Sequence, residues 1–228
     1  MSYVLHYAPD NASLIIRLAL DELGVAYRTQ LVDRSQNAQK SQTYLAINPA
    51  GKIPVLETPE GPIFETAAIL LWLSQRHAGL THLAKEGGQA RLLKWLFFIS
   101  NTLHPDLVAL FYPHRYAAPD ALADFNIRTQ ERLTHNYDLL NAAAHQWGAA
   151  ADRTNIIEIY LATCLRWCQL YPVGGADWFA LNRWSALAEL ALKMDARPAT
   201  QKAIMAEGLN PTPFSAADYA QPPEGSAT

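Results

Sequence analysis

The sequence is poor in charged residues, and the charges that it has nearly balance. Asp, Glu, Lys and Arg make up 17% of the 228 residues, and the formal net charge at pH 7 is −3. The 18 lysines and arginines are scattered, so the clustered basic residues of a nucleic-acid-binding protein are missing. Because 50% of the residues are hydrophobic, the composition also excludes a wholly disordered chain.

Long apolar runs, a leader and paired cysteines are missing too. No run approaches the roughly 18 apolar residues of a membrane-spanning helix, and the start MSYVLHYAPD lacks the basic and apolar regions of a secretory signal. We therefore expect a cytoplasmic protein with no membrane partner. Cys164 and Cys168 have neither the redox spacing C-x-x-C nor further ligands for a metal, so we expect no metal site and two small buried side chains.

The hydrophobic patterns predict two domains of different class. Over residues 1–79 the predicted order is β-α-β-α-β-β-α, with strands at 3–8, 27–32, 53–57 and 63–64 and helices at 14–23, 35–47 (or an irregular loop there) and 66–77. Residues 80–88 are predicted as a linker. From residue 89 only helical periodicity follows, at about 89–111, 119–147, 155–170, 177–192 and 197–207. We expect an α/β domain over 1–79, an all-helical domain over 89–210 and a proline-rich extended tail over 211–228.

The segment Asn48-Pro-Ala-Gly-Lys-Ile-Pro-Val-Leu56 holds a proline inside a predicted strand. Pro54 cannot donate a ladder hydrogen bond, so it marks a sheet edge or a special geometry. With a cis Ile53–Pro54 bond, Val55 would turn its N–H and C=O outward, where a bound peptide could pair with them as an extra strand. The alternative is an ordinary trans proline at an edge.

The segment Phe64-Glu65-Thr66 lies where a strand passes into a helix. A helix N-terminus binds a carboxylate, the Thr66 hydroxyl adds a donor, and the Glu65 carboxylate suits an ammonium group. Together they match the two ends of an α-amino acid. The alternative is that Thr66 merely caps the helix while Glu65 favours its dipole.

Taken in order, NPAGKIPVLET, FETAAIL, RLALDELGVAY, NIIEIYLA and ARPATQKAIMAEG resemble the cytosolic glutathione transferase family of the bacterial type. The resemblance covers nearly the whole chain. It implies a thioredoxin-like N-terminal domain, an all-α C-terminal domain, a homodimer, and glutathione as co-substrate in detoxification.

The resemblance also implies site residues. Pro54 becomes the cis-proline, Val55 the residue that pairs with the cysteinyl backbone of glutathione, and Glu65 and Thr66 the contacts of its γ-glutamyl end. Ile53 and Lys52 belong to the same site, Lys52 near the glycyl carboxylate, with Arg34 and Lys40 as weaker candidates there. On the second-substrate side the resemblance places His104, and Phe111 and Tyr112 could wall an apolar pocket after a helix break at Pro105.

The residue that ionises the glutathione thiol is left open. The cysteine of bacterial relatives aligns with Ala12, which excludes a mechanism through a protein mixed disulfide. Ser13 and Asn11 are the candidate catalytic residues, with Tyr7 or no side chain as alternatives. We expect conjugation of glutathione to a small hydrophobic electrophile, or peroxide reduction. A non-catalytic glutathione-binding or hydrophobic-ligand-binding protein is the alternative, and disulfide exchange is disfavoured because no cysteine precedes residue 164.

Overall fold

The computed structural model describes residues 3–81, 88–148 and 152–227, which form two compact units. The first unit comprises the chain up to Thr81 together with residues 195–213 and the residues from 218 onward. The second comprises the remaining residues, including the short stretch 214–217. Most of the expected linker, residues 82–87, lies outside the described residues.

A four-stranded sheet organises the first unit. Its strands are β1 (Tyr3–Tyr7), β2 (Tyr27–Leu31), β3 (Val55–Thr58) and β4 (Gly61–Phe64), in the spatial order β2-β1-β3-β4. β1 is parallel to β2, and β3 is antiparallel to both of its neighbours. Helices α1 (Ser13–Glu22), α2 (Gln42–Ile47) and α3 (Thr66–His77) complete the predicted order, which is confirmed.

The second unit contains helices and connecting loops, with no strand among its described residues. It contains α4 (Gln89–Phe98), a π-helical segment (Ile99–Leu103), α5 (His104–Phe111), α6 (Leu122–Ala142), α7 (Ala144–Trp147), α8 (Ile156–Leu170) and most of α9 (Ser185–Asp195). Asn155 and Glu158 form a capping box at the start of α8. Pro105 lies in the first turn of α5, directly after the π-helical segment. The expected helix break at Pro105 is wrong: Leu103 and His104 keep right-handed helical φ and ψ, so the chain stays helical from Gln89 to Phe111, and the change in hydrogen bonding before the proline takes the form of a π-helical turn. Among the described residues no helix is long and apolar enough to cross a membrane.

Two boundaries differ from the sequence prediction. The helix expected over 177–192 begins only at Ser185, because Phe179 and Trp184 leave the helical course and stack, with ring centroids 5.3 Å apart, beside Tyr137. The apolar residues that suggested a helix in this region therefore pack in an aromatic cluster instead.

The last helix, α10 (Pro198–Glu207), packs with the first unit rather than with the helices before it. Arg17 of α1 forms an ion pair with Glu207, with its Nε 2.7 Å from Oε1. Arg197 donates to Glu22 at 2.8 Å from Nε and 2.5 Å from Nη2. The all-helical domain expected over 89–210 therefore ends earlier, and α10 and residues 218–227 complete the α/β unit instead.

Candidate functional site

The sheet register brings the candidate residues of the first unit to one end. His6, Val55 and Phe64 lie opposite one another on β1, β3 and β4. β1 ends just after His6, β3 begins at Val55, and β4 ends at Phe64. The segments 7–13, 48–54 and 65–66 consequently meet at the same end of the sheet, where β2, parallel to β1, also ends.

Asn48 organises the loop before β3, a role beyond those predicted from the sequence. Its Nδ2 donates to the Lys52 carbonyl at 2.7 Å, and its Oδ1 accepts the Ala50 N–H at 3.0 Å. The Tyr44 hydroxyl donates to the same Lys52 carbonyl at 2.7 Å. The signal was available, since an asparagine before a proline commonly bonds the backbone two residues ahead. The loop leaves the Lys52 side chain exposed.

The main chain open to a ligand is that of Ile53, and not that of Val55. Val55 lies between β1 and β4 in the sheet. Its N–H and C=O therefore point toward one of these two strands and are not open to a ligand. This corrects the expectation that Val55 turns those groups outward. The Ile53–Pro54 peptide is cis, and none of the described residues hydrogen bonds to the N–H or C=O of Ile53.

The start of α3 carries strained backbone and an uncapped helix end. Glu65 has φ +73°, which is unfavourable for a residue with a side chain, and its carboxylate is exposed. No side chain among the described residues caps the helix. Thr66 is buried, and its hydroxyl makes no hydrogen bond to a described residue. The N-terminus of α3 thus keeps backbone N–H groups and the Thr66 hydroxyl as donors for an anion, with the Glu65 carboxylate beside them.

The start of α1 treats its two candidate residues differently. Ser13 is fully buried, where its Oγ donates to the Ala8 carbonyl at 2.9 Å and accepts the Ala8 N–H at 3.2 Å. The Oδ1 of Asn11 accepts the Ala12 N–H at 2.8 Å, while its Nδ2 donates to no described residue. The side chain of Asn11 is part-exposed. Of the two, Asn11 alone offers a donor that the fold has not already used.

Tyr7, the third candidate, is occupied. Its hydroxyl donates to the Glu224 carboxylate, and the Arg17 guanidinium lies 4.8 Å from the centre of its ring. Burial first, and then the hydrogen bond and charge of Glu224, raise the pKa of Tyr7 above its ordinary value. The hydroxyl therefore keeps its proton at neutral pH and donates it to the carboxylate.

The residues expected on the second-substrate side lie on or beside α5 in the second unit. His104 Nδ1 is 2.7 Å from the Tyr160 hydroxyl, and its ring lies 5.3 Å from that of Trp167. Phe111 packs edge-on against Tyr171 at 5.9 Å. The Arg115 guanidinium covers the ring of Tyr112 at 4.0 Å.

Comparison with known proteins gives consistent results. Residues 2–75 match the family model described as glutathione S-transferase, N-terminal domain. Glutathione S-transferase GST-4.5 of Xanthomonas campestris is 30% identical over 212 residues, which are 90% of this chain and 99% of that protein. The disulfide-bond oxidoreductase YfcG of Escherichia coli is 27% identical over 211 residues, with coverages of 88% and 94%.

Among solved structures, a glutathione transferase homologue from Sulfitobacter with bound glutathione superposes with a TM-score of 0.75. It is 18% identical in sequence, and the match covers 88% of this chain and 96% of that one. At this identity the likeness concerns the fold, which is that of a thioredoxin-like sheet domain followed by helices.

Proposed function

Because this chain belongs to the glutathione S-transferase family, we propose that it binds glutathione at the end of the sheet described above and transfers its thiolate to a small hydrophobic electrophile. The observation that carries the proposal is the open main chain of Ile53 next to the uncapped start of α3. A tripeptide needs a backbone partner for its centre and an anchor for its charged end, and these two features supply both.

The proposed binding mode assigns one part of glutathione to each segment. The cysteinyl N–H and C=O pair with the main chain of Ile53, beside Pro54 and Val55. The γ-glutamyl carboxylate accepts from the Thr66 hydroxyl and the first N–H groups of α3, and its ammonium group lies by the Glu65 carboxylate. The exposed Lys52 serves the glycyl carboxylate.

The chemistry required of the protein is ionisation of the thiol. A free thiol has a pKa of about 8.5, and lowering it by about two units takes roughly 2.7 kcal/mol. One hydrogen bond to the thiolate contributes about 1.5–3 kcal/mol, and the α1 N-terminus, which no side chain caps, adds about 0.3–2 kcal/mol. One donor is therefore enough. We propose Asn11 Nδ2 in that role, because the Ser13 hydroxyl is held by Ala8.

The test measures the pKa of the bound thiol from the ultraviolet absorbance of the thiolate, together with turnover of a chlorodinitrobenzene acceptor. We expect Asn11→Ala to raise the bound-thiol pKa from about 6.5 by about 1–2 units and, through the smaller thiolate fraction, to lower kcat/KM at pH 7 about 3- to 25-fold. Gln75→Ala, which removes an exposed amide from α3, is the control. Ser13→Ala is compared by unfolding as well, since its contacts with Ala8 predict a loss of stability.

Three outcomes distinguish Asn11 as the thiol-activating residue, Ser13 in that role, and a non-catalytic binding protein. A lowered thiol pKa that Asn11→Ala abolishes supports the proposed role of Asn11. A lowered pKa that responds to Ser13→Ala, with folding intact, would return the role to Ser13. Binding with an unshifted thiol pKa and no turnover would identify a non-catalytic binding protein for glutathione or a hydrophobic ligand.

For the second substrate we propose an apolar or aromatic electrophile that contacts His104, Phe111 and Tyr112. The His104 imidazole is held against the Tyr160 hydroxyl, so it presents a fixed ring face. His104→Ala should raise KM for the electrophile several-fold and leave KM for glutathione unchanged. The family also implies a homodimer in the cytoplasm, and light scattering of the purified protein tests the dimer.

A second candidate reaction is reduction of disulfides by glutathione, favoured by the similarity to YfcG over most of the chain. The absence of a cysteine before residue 164 does not prevent it, because two glutathione molecules can supply both thiols. One glutathione thiolate attacks a substrate disulfide and releases a thiolate. The second attacks the mixed disulfide, giving glutathione disulfide and the second substrate thiolate. Turnover of hydroxyethyl disulfide in the absence of any electrophile distinguishes this reaction from conjugation.

A further inference from the structure

The C-terminal residues 221–227, here called the strap, lie against the turn that joins β1 to α1. The Tyr7 hydroxyl donates to the Glu224 carboxylate. Arg34, just beyond β2, donates from Nη1 to the Ala227 carbonyl at 3.2 Å. The Gln221 N–H donates to the Gly208 carbonyl at 2.8 Å, which fixes the point where the strap leaves the end of α10. All of these contacts lie within the first unit.

Two glycines show how closely the strap is packed. Gly208 has φ +63°, and a Cβ there would lie 1.9 Å from the Gln221 carbonyl oxygen. Gly225 has φ +72°, and a Cβ there would lie 2.8 Å from Leu31 Cδ1 and 3.3 Å from Pro9 Cδ. The strap therefore passes directly over the end of α10 and contacts the proline of the turn. A side chain at Gly208 would collide with backbone, and one at Gly225 would require Leu31 to move.

The turn itself depends on contacts from outside. Asp10 is buried with φ +48°, a conformation that costs a non-glycine residue energy. Its N–H donates to Glu207 Oε2 at 2.8 Å, and the other oxygen of Glu207 pairs with Arg17. Glu207 thus holds the end of the turn, while Glu224 holds its beginning through Tyr7. Asn11 follows Asp10 directly.

We propose that the strap is part of the glutathione site, with Glu224 and Gly225 as positioning residues that hold the turn from Tyr7 to Asp10 in the geometry that the thiol end of glutathione requires. This inference rests on the proposed function, since it concerns the same thiol. Glu224 acts through the hydrogen bond that it accepts from the Tyr7 hydroxyl. Gly225 acts by contact with Pro9.

The test is a double-mutant cycle on the full-length protein with Glu224→Ala, Tyr7→Phe and the combined variant. Calorimetry with glutathione gives the Kd, and thiolate absorbance gives the pKa of the bound thiol. If Glu224 acts through Tyr7, each single variant raises the Kd for glutathione about three- to tenfold. The Kd of the combined variant then does not exceed the larger of the two single-variant values. Glu224→Gln should restore most of the affinity, because its amide oxygen still accepts from Tyr7.

The direction in which the pKa of the bound thiol changes in Glu224→Ala distinguishes loss of positioning from loss of a negative charge. A loosened turn raises the bound-thiol pKa toward its free value, whereas loss of a nearby negative charge would by itself lower it. Glu131→Ala, which removes an exposed carboxylate from α6, is the control and should change neither quantity.

Each remaining outcome overturns the inference in a distinguishable way. Wild-type protein that binds glutathione, with Glu224→Ala unchanged in both Kd and thiol pKa, shows that the strap only covers the surface. A lowered thiol pKa in Glu224→Ala shows a charge effect without positioning. Wild-type protein that binds no glutathione removes the proposed function itself, and the strap inference with it.

Discussion

Replacing Glu207 by alanine tests the contact that fastens α10 to the α/β unit. Glu207 is fully buried, and Arg17, its partner on α1, has 6% of its side chain exposed. The carboxylate accepts from Arg17 Nε at 2.7 Å and from the Asp10 N–H at 2.8 Å. Burial raises the pKa of Glu207, while Arg17 and the Asp10 N–H oppose that rise.

The expected loss follows from what the substitution leaves behind. Alanine removes both acceptor oxygens, so the buried Arg17 guanidinium loses the carboxylate with which it pairs and the Asp10 N–H loses this acceptor. Breaking one half of a buried ion pair costs about 3–5 kcal/mol. Glu207→Gln keeps an acceptor but loses the charge, so we expect a smaller loss of about 1.5–3 kcal/mol, the range for a hydrogen bond to a charged group.

Urea unfolding followed by circular dichroism measures the effect. With a slope of about 2–3 kcal/mol per molar urea, Glu207→Ala should move the midpoint down by roughly 1–2.5 M. Asp124→Ala is the matched control. Arg128 Nε lies the same 2.7 Å from Asp124, but both side chains are more than two-thirds exposed, and such pairs contribute little in water. We expect no measurable change in its midpoint.

The reasoning would be refuted if Glu207→Ala moved the midpoint no further than Asp124→Ala does. Equal effects would mean that burial of the ion pair does not matter, or that Arg17 finds water when its partner is removed. The assignment of α10 to the first unit would then need another physical basis.

The remaining predictions concern the cysteines and the start of α3. Burial raises the pKa of Cys168 to about 12 and that of Cys164 as well, so neither thiol should react with a thiol reagent at pH 8 until the protein unfolds. Because the unfolded thiols ionise above about pH 8.5 while the folded ones stay protonated, the free energy of unfolding should fall as pH rises from 9 to 11. Glu65→Gly should relieve the positive φ and stabilise the protein by about 1 kcal/mol, yet weaken glutathione binding in calorimetry. Thr66→Val, which keeps the shape but not the hydroxyl, should raise the Kd for glutathione about five- to tenfold.

The α/β unit could be predicted well because its signals are local. β1 alternates buried and half-buried residues, with Tyr3, Leu5 and Tyr7 facing the core, and this alternation is visible in the sequence as YVLHY. Turn residues separate the strands, and the hairpin from β3 to β4 is short. These features specify the element order without any knowledge of distant contacts.

The open main chain could not be assigned from the motif alone. The choice between Ile53 and Val55 depends on where β3 begins pairing, and that start is set by its two neighbours, through His6 on one side and Phe64 on the other. A shift of the strand start by two residues exchanges the paired and the open residue. Sequence patterns locate a strand, whereas its first paired residue is a property of the assembled sheet.

The strap was unpredictable for a different reason. The contact between Tyr7 and Glu224 joins residues 217 positions apart, and nothing in the proline-rich composition around Glu224 identifies its partner. Extended segments without periodicity carry no information about the surface that they cover. The role of Ser13 was also unpredictable, although its partner is close in sequence. The sequence does not show that the fold places its hydroxyl against the Ala8 carbonyl.

Two residues with side chains adopt positive φ at the proposed glutathione site, Asp10 at +48° and Glu65 at +73°. Glycine would adopt both conformations with less strain, so the strain must be offset by contacts or retained for function. For Asp10 the offsetting contact comes from Glu207, near the C-terminal end of the chain. The geometry of the turn after β1 therefore depends on the packing of α10 against α1 as well as on the residues of the turn itself.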